Sequence, residues 1–320
     1  MSETAVKQPA HRLTWSLIAA LDYVGLGCDV SNAFAEAPAP KEPFYMVVDE
    51  QFRDWWENCL EKPPIPHGWV IPILKNLQGH PEAPRLWHKH IDGILISKMG
   101  FQHTTHEVCL YFKQDKKHGL ILVLRQVDDF IIGAKTMQLC LDIKQQIQDN
   151  MVNPLNELGI IKRFNGLDIQ QTRHYVKISC QTYIDKIVEH HEWQQEHTAN
   201  LPIPMRNDST YQANLELSYG PEDVKEQQEL ETQMGFSYRQ AIGELIFAMT
   251  ICRLDISPAV IKLSQYSAAP AKCHYQAPKA ASTYLYATKN DGIYYWRPTP
   301  NGDLPDANQP KTIASAEHLT

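Results

Sequence analysis

The strongest hydrophobic pattern of the chain lies in residues 119–134, where two apolar runs flank a pair of acidic residues. The first run is rich in Leu, Ile and Val and ends at Gln126, and the second begins at Phe130. Asp128 and Asp129 lie between them. Apolar, β-branched runs of this length are typical of buried strands, and so short an interruption predicts a tight hairpin. We therefore expect the Asp pair at the tip of an apolar hairpin.

The rest of the chain alternates between helical and strand-like spacing. Helices are predicted over residues 12–26, 83–99, 138–149, 181–193 and 238–286, with Gly25 and Gly27 ending the first. Strands are predicted over residues 44–48, 101–112 and 119–134, three in the last two stretches, and a further hairpin over 164–169 and 175–178. Residues 49–66 suggest a helical insertion, and residues 196–236 a linker followed by a polar helix. This mixed order favours an α+β fold, in which helices cover one face of a sheet, over a regular βαβ repeat.

Composition and charge narrow the class of protein. The 320 residues are 43% hydrophobic and 21% charged, which is ordinary globular composition. The net charge of −7 does not indicate a nucleic-acid binder, although a local basic channel is compatible with it. The seven cysteines form no C-x-x-C pair, which favours free thiols in a reducing compartment and indicates no zinc site. No apolar run is long enough to span a bilayer, so no membrane partner is expected.

The Asp pair is a candidate metal site. Two carboxylates about 4 Å apart repel each other by roughly 4 kcal/mol at an effective dielectric constant near 20. A raised pKa on one acid or a bound cation relieves that repulsion, and Mg²⁺ suits paired carboxylates that share it with a phosphate. Asp29 follows a Gly-rich stretch and would supply a third ligand from a neighbouring strand. The alternatives are a solvated turn for the Asp pair and a cap or turn role for Asp29.

The histidines and the common catalytic motifs provide weaker evidence for a functional site than the Asp residues do. His190, His191 and His197 lie near Glu192, but their spacing does not match the metalloprotease motif H-E-x-x-H. A structural role is the better interpretation for these histidines. The chain contains no G-x-S-x-G motif, no P-loop and no dinucleotide-binding fingerprint.

Three segments resemble the reverse transcriptases of copia-type LTR retrotransposons. Segment 29–34, Asp-Val-Ser-Asn-Ala-Phe, resembles the first catalytic motif of that family. Segment 77–87 resembles its L-x-G-L-K-Q-x-P-R-L-W stretch, and segment 126–129, Gln-Val-Asp-Asp, resembles its Y-V-D-D hairpin. Five further matches follow in the family's order, at residues 164–169, 179–184, 238–245, 253–256 and 284–295. The resemblance therefore runs from about residue 12 to residue 295.

The resemblance implies a right-hand polymerase palm, an antiparallel sheet with helices on one face, followed by a mostly helical thumb and connection. The expected bounds are 1–178 for the palm with partial fingers, 179–236 for a thumb-like helix and acidic linker, 237–296 for the helical connection, and 297–320 for a tail before a ribonuclease H domain.

The implied activity is RNA-directed DNA synthesis with two Mg²⁺ ions, or Mn²⁺ in their place, on an RNA or DNA template with a primer and dNTP. Asp29, Asp128 and Asp129 would bind the metals, and Phe34 would exclude a 2′-hydroxyl. The residues expected to contact the nucleotide are Val30, Phe34, Gln78, Gly79, Pro84, Arg85 and Gln126. An oligomer with other retroelement chains, in a cytoplasmic virus-like particle or in the nucleus, is expected.

The chain also departs from the family pattern. It begins shortly before the first catalytic Asp, so the Lys- and Arg-rich fingers segment of the family is absent from it. His80, Pro81 and Glu82 replace the expected Leu-Lys-Gln, and Gln126 replaces a Tyr that contacts the primer end. The alternative hypothesis is therefore an inactive, truncated retroelement remnant that retains the palm fold.

Overall fold

The computed structural model describes residues 6–42, 44–193 and 203–299. The chain divides into two compact units. Of the described residues, those within 6–14 and 23–160 form unit 1, and those within 15–22 and 161–299 form unit 2. Helix α1 (Gln8–Ala20) includes the point at which the chain passes from one unit to the other.

Unit 1 is built on a six-stranded antiparallel sheet with the strand order β4-β5-β6-β7-β1-β8. The strands are β1 (Val24–Val30), β4 (Gln102–His103), β5 (Leu110–Asp115), β6 (Gly119–Gln126), β7 (Asp129–Ala134) and β8 (Leu155–Ile160). β6 and β7 form the predicted hairpin, in which Gln126 pairs with Asp129. β7 then pairs with β1, so the hairpin lies next to the strand that carries Asp29.

Two helical segments pack on one face of this sheet. They are α4 (Ala83–Asp92), which continues into a wider π-helical stretch (Gly93–Lys98), and α5 (Met137–Gln148). The shared core includes Cys28, Val30, Phe130 and Ile132 from the strands together with Trp87, Ile91, Ile143 and Ile147 from the helices. Successive side chains of a strand point to opposite faces, so the residues between these strand positions face away from both helices. Asp29 lies between Cys28 and Val30, and Asp129 immediately precedes Phe130, so both face away from the helices.

The first predicted helix was too long. α1 ends at Ala20, Asp22 takes a left-handed backbone conformation with φ 54°, and residues 24–30 form a strand. Gly25 and Gly27 lie inside β1 and do not end the helix. Pairing with β7 on one side and β8 on the other outweighs the low strand propensity of these glycines. The three strands predicted between residues 101 and 134 are four in the structure, because β4 is a separate two-residue strand.

The remaining elements of unit 1 are short. β2 (Phe44–Val47) confirms the predicted strand and pairs with β3 (Val70–Ile73). The helical insertion is shorter than predicted and consists of α3 (Glu50–Asp54) and a π-helical turn (Trp55–Cys59). Helix α2 (Ala33–Glu36) follows β1 directly.

Unit 2 combines a four-stranded antiparallel sheet, in the order β12-β11-β10-β9, with helices. Its strands are β9 (Arg163–Phe164), β10 (Leu167–Gln171), β11 (Tyr175–Ser179) and β12 (Gly292–Trp296), and the pairing of β10 with β11 confirms the second predicted hairpin. Its helices are α6 (Gln181–His190), α7 (Ser209–Leu217), α8 (Val224–Met234), α9 (Tyr238–Ile251), α10 (Ser257–Ser264) and α11 (Gln276–Ala287). α7 lies in the stretch predicted as linker, where Asp208 caps it by accepting a hydrogen bond from the Tyr211 N–H.

Three further predictions concern the chain as a whole. The seven cysteines are free thiols, as their spacing predicted. Among the described residues, every helix is too short or too polar to cross a bilayer. His197, the first part of the predicted linker and residues 300–320 of the predicted tail lie outside the described residues.

Candidate active site at the β6–β7 turn

Strand pairing brings the three predicted catalytic carboxylates together. Asp29 of β1 lies directly opposite Asp129 of β7. Side chains opposite each other in antiparallel strands share one face, with Cβ atoms about 4.5–5.5 Å apart. Asp128 occupies the two-residue turn before β7, and its carbonyl oxygen accepts a hydrogen bond of 2.9 Å from the Val30 N–H. The turn is thereby attached to the end of the strand that carries Asp29.

The electrostatics of this group are unfavourable without a counter-ion. Partial burial, together with the negative charges of Asp128 and Asp29, raises the pKa of Asp129 to about 6. Both charges act on Asp129, so the three carboxylates form one electrostatic cluster. Clustered oxygen ligands in this state suit a divalent cation, which would neutralise the repulsion. The donor set therefore fits Mg²⁺ or Mn²⁺.

The backbone of the turn is held in a strained conformation. Val127 has a φ of 56°, which is unfavourable for a β-branched residue. Its carbonyl oxygen accepts a hydrogen bond of 2.7 Å from the indole N–H of Trp87, a fully buried residue of α4. This bond connects the core helix to the residue that precedes the Asp pair. Strained residues that surrounding structure holds in place are frequent at functional sites.

A cavity of about 520 Å³ opens beside Asp128. Asn32 takes a left-handed conformation with φ 52°, which turns the chain from β1 into α2 and brings Phe34 to the cavity wall. Gln78 lines the cavity as well. Two of the predicted nucleotide-binding residues, Phe34 and Gln78, therefore share a cavity with a predicted metal ligand.

The other predicted nucleotide-binding residues are not among the residues that line the cavity. The Val30 side chain belongs to the core, and only its backbone N–H reaches the turn. Gly79 follows Gln78 with a φ of 94°, a conformation that favours glycine. Pro84 and Arg85 lie in the first turn of α4, where the exposed Arg85 forms an ion pair with Glu82.

Gln126 makes a specific contact where the family has Tyr. Its side-chain oxygen accepts a hydrogen bond of 2.6 Å from the Val6 N–H. The side chain is therefore engaged with the N-terminal segment of unit 1.

The sequence analysis missed several residues of the cavity. Asn32, Ala33, Ala35 and Asn76 are lining residues, and the buried Asn76 donates to the Ala83 carbonyl oxygen. It also missed Glu36, a buried carboxylate that accepts hydrogen bonds from the N–H groups of Val152 and Asn153 and so secures α2. Asn32, Ala33 and Ala35 could have been predicted from their position beside Phe34 in the sequence. No feature of the sequence indicated Asn76 or Glu36.

Comparison with known proteins identifies the family. The family model described as reverse transcriptase (RNA-dependent DNA polymerase) matches residues 13–205, more than half of the 320-residue chain. The chain belongs to this family. Together with its transposon relatives, this match makes it a copia-type retrotransposon sequence, as the motifs indicated. No solved structure matches the chain.

Three relatives illustrate the similarity. The Retrovirus-related Pol polyprotein from transposon TNT 1-94 of Nicotiana tabacum is 26% identical over 294 residues, which is 91% of this chain and 20% of that protein. The Putative transposon Ty5-1 protein of Saccharomyces cerevisiae is 25% identical, covering 83% of this chain and 78% of that protein. The Pol polyprotein from transposon RE1 of Arabidopsis thaliana is 24% identical, covering 83% of this chain and 16% of that protein. The chain thus spans a fifth or less of the two polyproteins.

Membership of the family carries general chemical consequences. Reverse transcriptases act on a nucleic-acid template with a primer and dNTP, and they generally use divalent metals. The carboxylate cluster and the adjoining cavity are the features of unit 1 that suit this chemistry.

Proposed function

We propose that the chain is the RNA-directed DNA polymerase core of a copia-type retrotransposon, with its active site at the β6–β7 turn. The observation that carries the proposal is the register of β1 and β7, which sets Asp29 opposite Asp129 beside Asp128 of the turn. These three side chains would hold two divalent ions, Mg²⁺ or Mn²⁺. The reaction joins the primer 3′-hydroxyl oxygen to the α-phosphate of a dNTP and releases pyrophosphate.

The contributions of the chain follow from where its residues lie. When bound, the ions would activate the hydroxyl nucleophile and stabilise the leaving oxygen. Asp29, Asp128 and Asp129 would hold the ions, and the Trp87 hydrogen bond keeps the turn in place. The cavity beside Asp128 would accept the nucleotide. Phe34 would then lie against its sugar and exclude a 2′-hydroxyl, and Gln78 would contact it from another wall.

We assign the palm with partial fingers to residues 1–178, a thumb-like helix and linker to 179–236, and a connection to 237–296. The six-stranded antiparallel sheet with α4 and α5 on one face supports the palm assignment. α6, at the start of the second range, and α9 to α11 of the third support helical thumb and connection regions. A virus-like particle in the cytoplasm, or the nucleus, is the proposed place of action.

Primer extension tests the activity. We expect the chain to extend a DNA primer on an RNA template with Mg²⁺ and dNTPs, and the double variant Asp128→Asn, Asp129→Asn to lose about a thousandfold or more of that rate. Asp115→Asn is the matched control, because Asp115 ends β5 opposite Gly119, at the end of β6 that lies away from Asp128 and Asp129. Its extension rate should equal that of the wild type.

A second candidate, an inactive remnant that keeps the fold, is favoured by two observations. Gln126 replaces the family's Tyr and is bonded to Val6. The residues described as lining the cavity include no Lys or Arg to pair with a triphosphate. Extension by the wild type no faster than by the double variant would establish this candidate and exclude the first.

A further inference from the structure

A cluster of metal-ligand side chains lies in unit 2, apart from the carboxylates of the proposed active site. It consists of His190, His191 and Glu244, and we call it the histidine–glutamate cluster. One ligand atom from each of the three residues lies within 4.8 Å of the other two. His190 is the last residue of α6, His191 follows it as the C-cap, and Glu244 is in the middle of α9.

The side chains of the cluster are connected by hydrogen bonds, two of which come from Gln240. The Nε2 atom of His191 lies 2.6 Å from a carboxylate oxygen of Glu244. The side-chain amide of Gln240, one turn earlier on α9, donates to His190 Nε2 at 2.8 Å and to the second carboxylate oxygen of Glu244 at 3.1 Å. A single donor group thus satisfies two acceptors that would otherwise face each other. A cation between the same acceptors would satisfy them in the same way.

The surroundings hold one of the two imidazoles firmly. The His191 ring stacks on Trp193, with centroids 4.2 Å apart and planes 14° from parallel, and meets the edge of Phe236. Its side chain is only 4% exposed, whereas His190 is exposed. One ligand is therefore fixed by packing and one faces solvent, which provides an entry path for an ion.

We propose that the histidine–glutamate cluster binds a late first-row divalent metal ion, with Zn²⁺ as the natural occupant. Two imidazole nitrogens and a carboxylate oxygen form a borderline ligand set that suits Zn²⁺ and disfavours Mg²⁺, which prefers oxygen ligands. Tetrahedral zinc with bonds of about 2.0–2.1 Å places ligand atoms roughly 3.3 Å apart. Binding would displace the Gln240 amide from His190 and Glu244 and would replace the hydrogen bond between His191 and Glu244. The fourth position is left for water.

Occupancy would join the end of α6 to α9 within unit 2. These helices are otherwise linked by hydrogen bonds such as the one from the Tyr183 hydroxyl to the Glu244 carbonyl oxygen. A metal held by side chains from both helices would raise the stability of the unit, since ligands that bind only the folded state stabilise it.

Metal titration tests the proposal. The full chain in a Cys59→Ser background, which removes an exposed thiol as a competing metal ligand, is stripped with chelator and titrated with Zn²⁺ by calorimetry and with Co²⁺ by visible absorption. We expect one saturable site, a tetrahedral Co²⁺ spectrum and a higher melting temperature. His190→Asn and Glu244→Gln should each weaken the affinity at least about tenfold. The matched control is His67→Asn, an exposed histidine of unit 1, which should bind as the parent does.

Two outcomes would overturn the proposal. One is the absence of saturable binding in the parent chain. The other is an unchanged affinity in either His190→Asn or Glu244→Gln. Near-ultraviolet circular dichroism of each variant checks that it is folded, so that lost binding reports on the ligand and not on the fold. Because primer extension is not part of the measurement, the result is independent of the proposed polymerase activity.

Discussion

The carboxylate cluster of unit 1 and the histidine–glutamate cluster of unit 2 differ in how their polar side chains interact. Asp29, Asp128 and Asp129 are like charges, and the charges of Asp128 and Asp29 add to burial in raising the pKa of Asp129. In the histidine–glutamate cluster, donors and acceptors alternate, and each carboxylate oxygen of Glu244 has a hydrogen-bond partner.

A cation would interact differently with each of the two clusters. The carboxylate cluster is destabilised in the free protein, so a cation gains affinity by removing repulsion. The histidine–glutamate cluster is already stable, so a cation must displace existing hydrogen bonds. We therefore expect neutralising a carboxylate to have opposite effects on stability in the two regions.

The difference between the two clusters can be tested by replacing one carboxylate of each cluster with an amide. Asp129→Asn should raise the free energy of unfolding at neutral pH by about 1 kcal/mol, because it removes a repelled charge that is still partly solvated. Glu244→Gln should lower it by about 2 kcal/mol, because it weakens the hydrogen bond to His191. Urea denaturation of metal-free protein measures both. Effects of the same sign would show that the two clusters do not differ as described.

Tryptophan substitutions test how the β6–β7 turn, which carries Asp128, is held in place. Trp87→Phe removes the hydrogen bond to the Val127 carbonyl and leaves a small cavity, so we expect a loss of about 2 kcal/mol in the free energy of unfolding. It should also slow primer extension, because the turn that carries Asp128 loses its attachment. The control is Trp69→Phe, whose ring is 63% exposed and whose replacement should change neither quantity. Equal effects in the two variants would count against a role for the Trp87 bond.

The smallest expected effect is the pH dependence of the carboxylate cluster. The pKa of Asp129 is about 6 in the folded protein, above the ordinary value of an aspartate, so the folded state binds a proton more tightly than the unfolded chain. Its contribution to stability is therefore favourable at low pH and is lost as pH rises through about 6. We expect the stability gain of Asp129→Asn to grow over this window, by about 1 kcal/mol after discounting for solvent.

Asp115 provides a control of opposite sign for the pH measurement. The backbone N–H groups of His118 and Lys117 lower its pKa, so its ionised form is the one favoured by folding. The stability difference caused by Asp115→Asn should therefore be a loss at neutral pH that disappears as the solution is acidified below the usual range of an aspartate. A flat profile for Asp129→Asn would mean that its carboxylate is not under repulsion.

Local pattern was sufficient to predict much of the fold. The β6–β7 hairpin, the β10–β11 hairpin, α4 and α5 follow from apolar periodicity, because each buries one continuous apolar face. The errors fell where tertiary pairing decides the outcome. β1 is a strand in spite of Gly25 and Gly27, because strands on both sides bind its backbone.

The sequence by itself determined the hairpin, the acidic residues at its turn and the family, since motifs that are contiguous in the chain carry them. Only the tertiary structure decided the β1–β7 register that opposes Asp29 to Asp129, the Trp87 bond to the turn and the approach of Glu244 to His190 and His191. Each of these contacts joins residues far apart in the chain. Such contacts depend on how whole strands and helices pack, which no local spacing encodes.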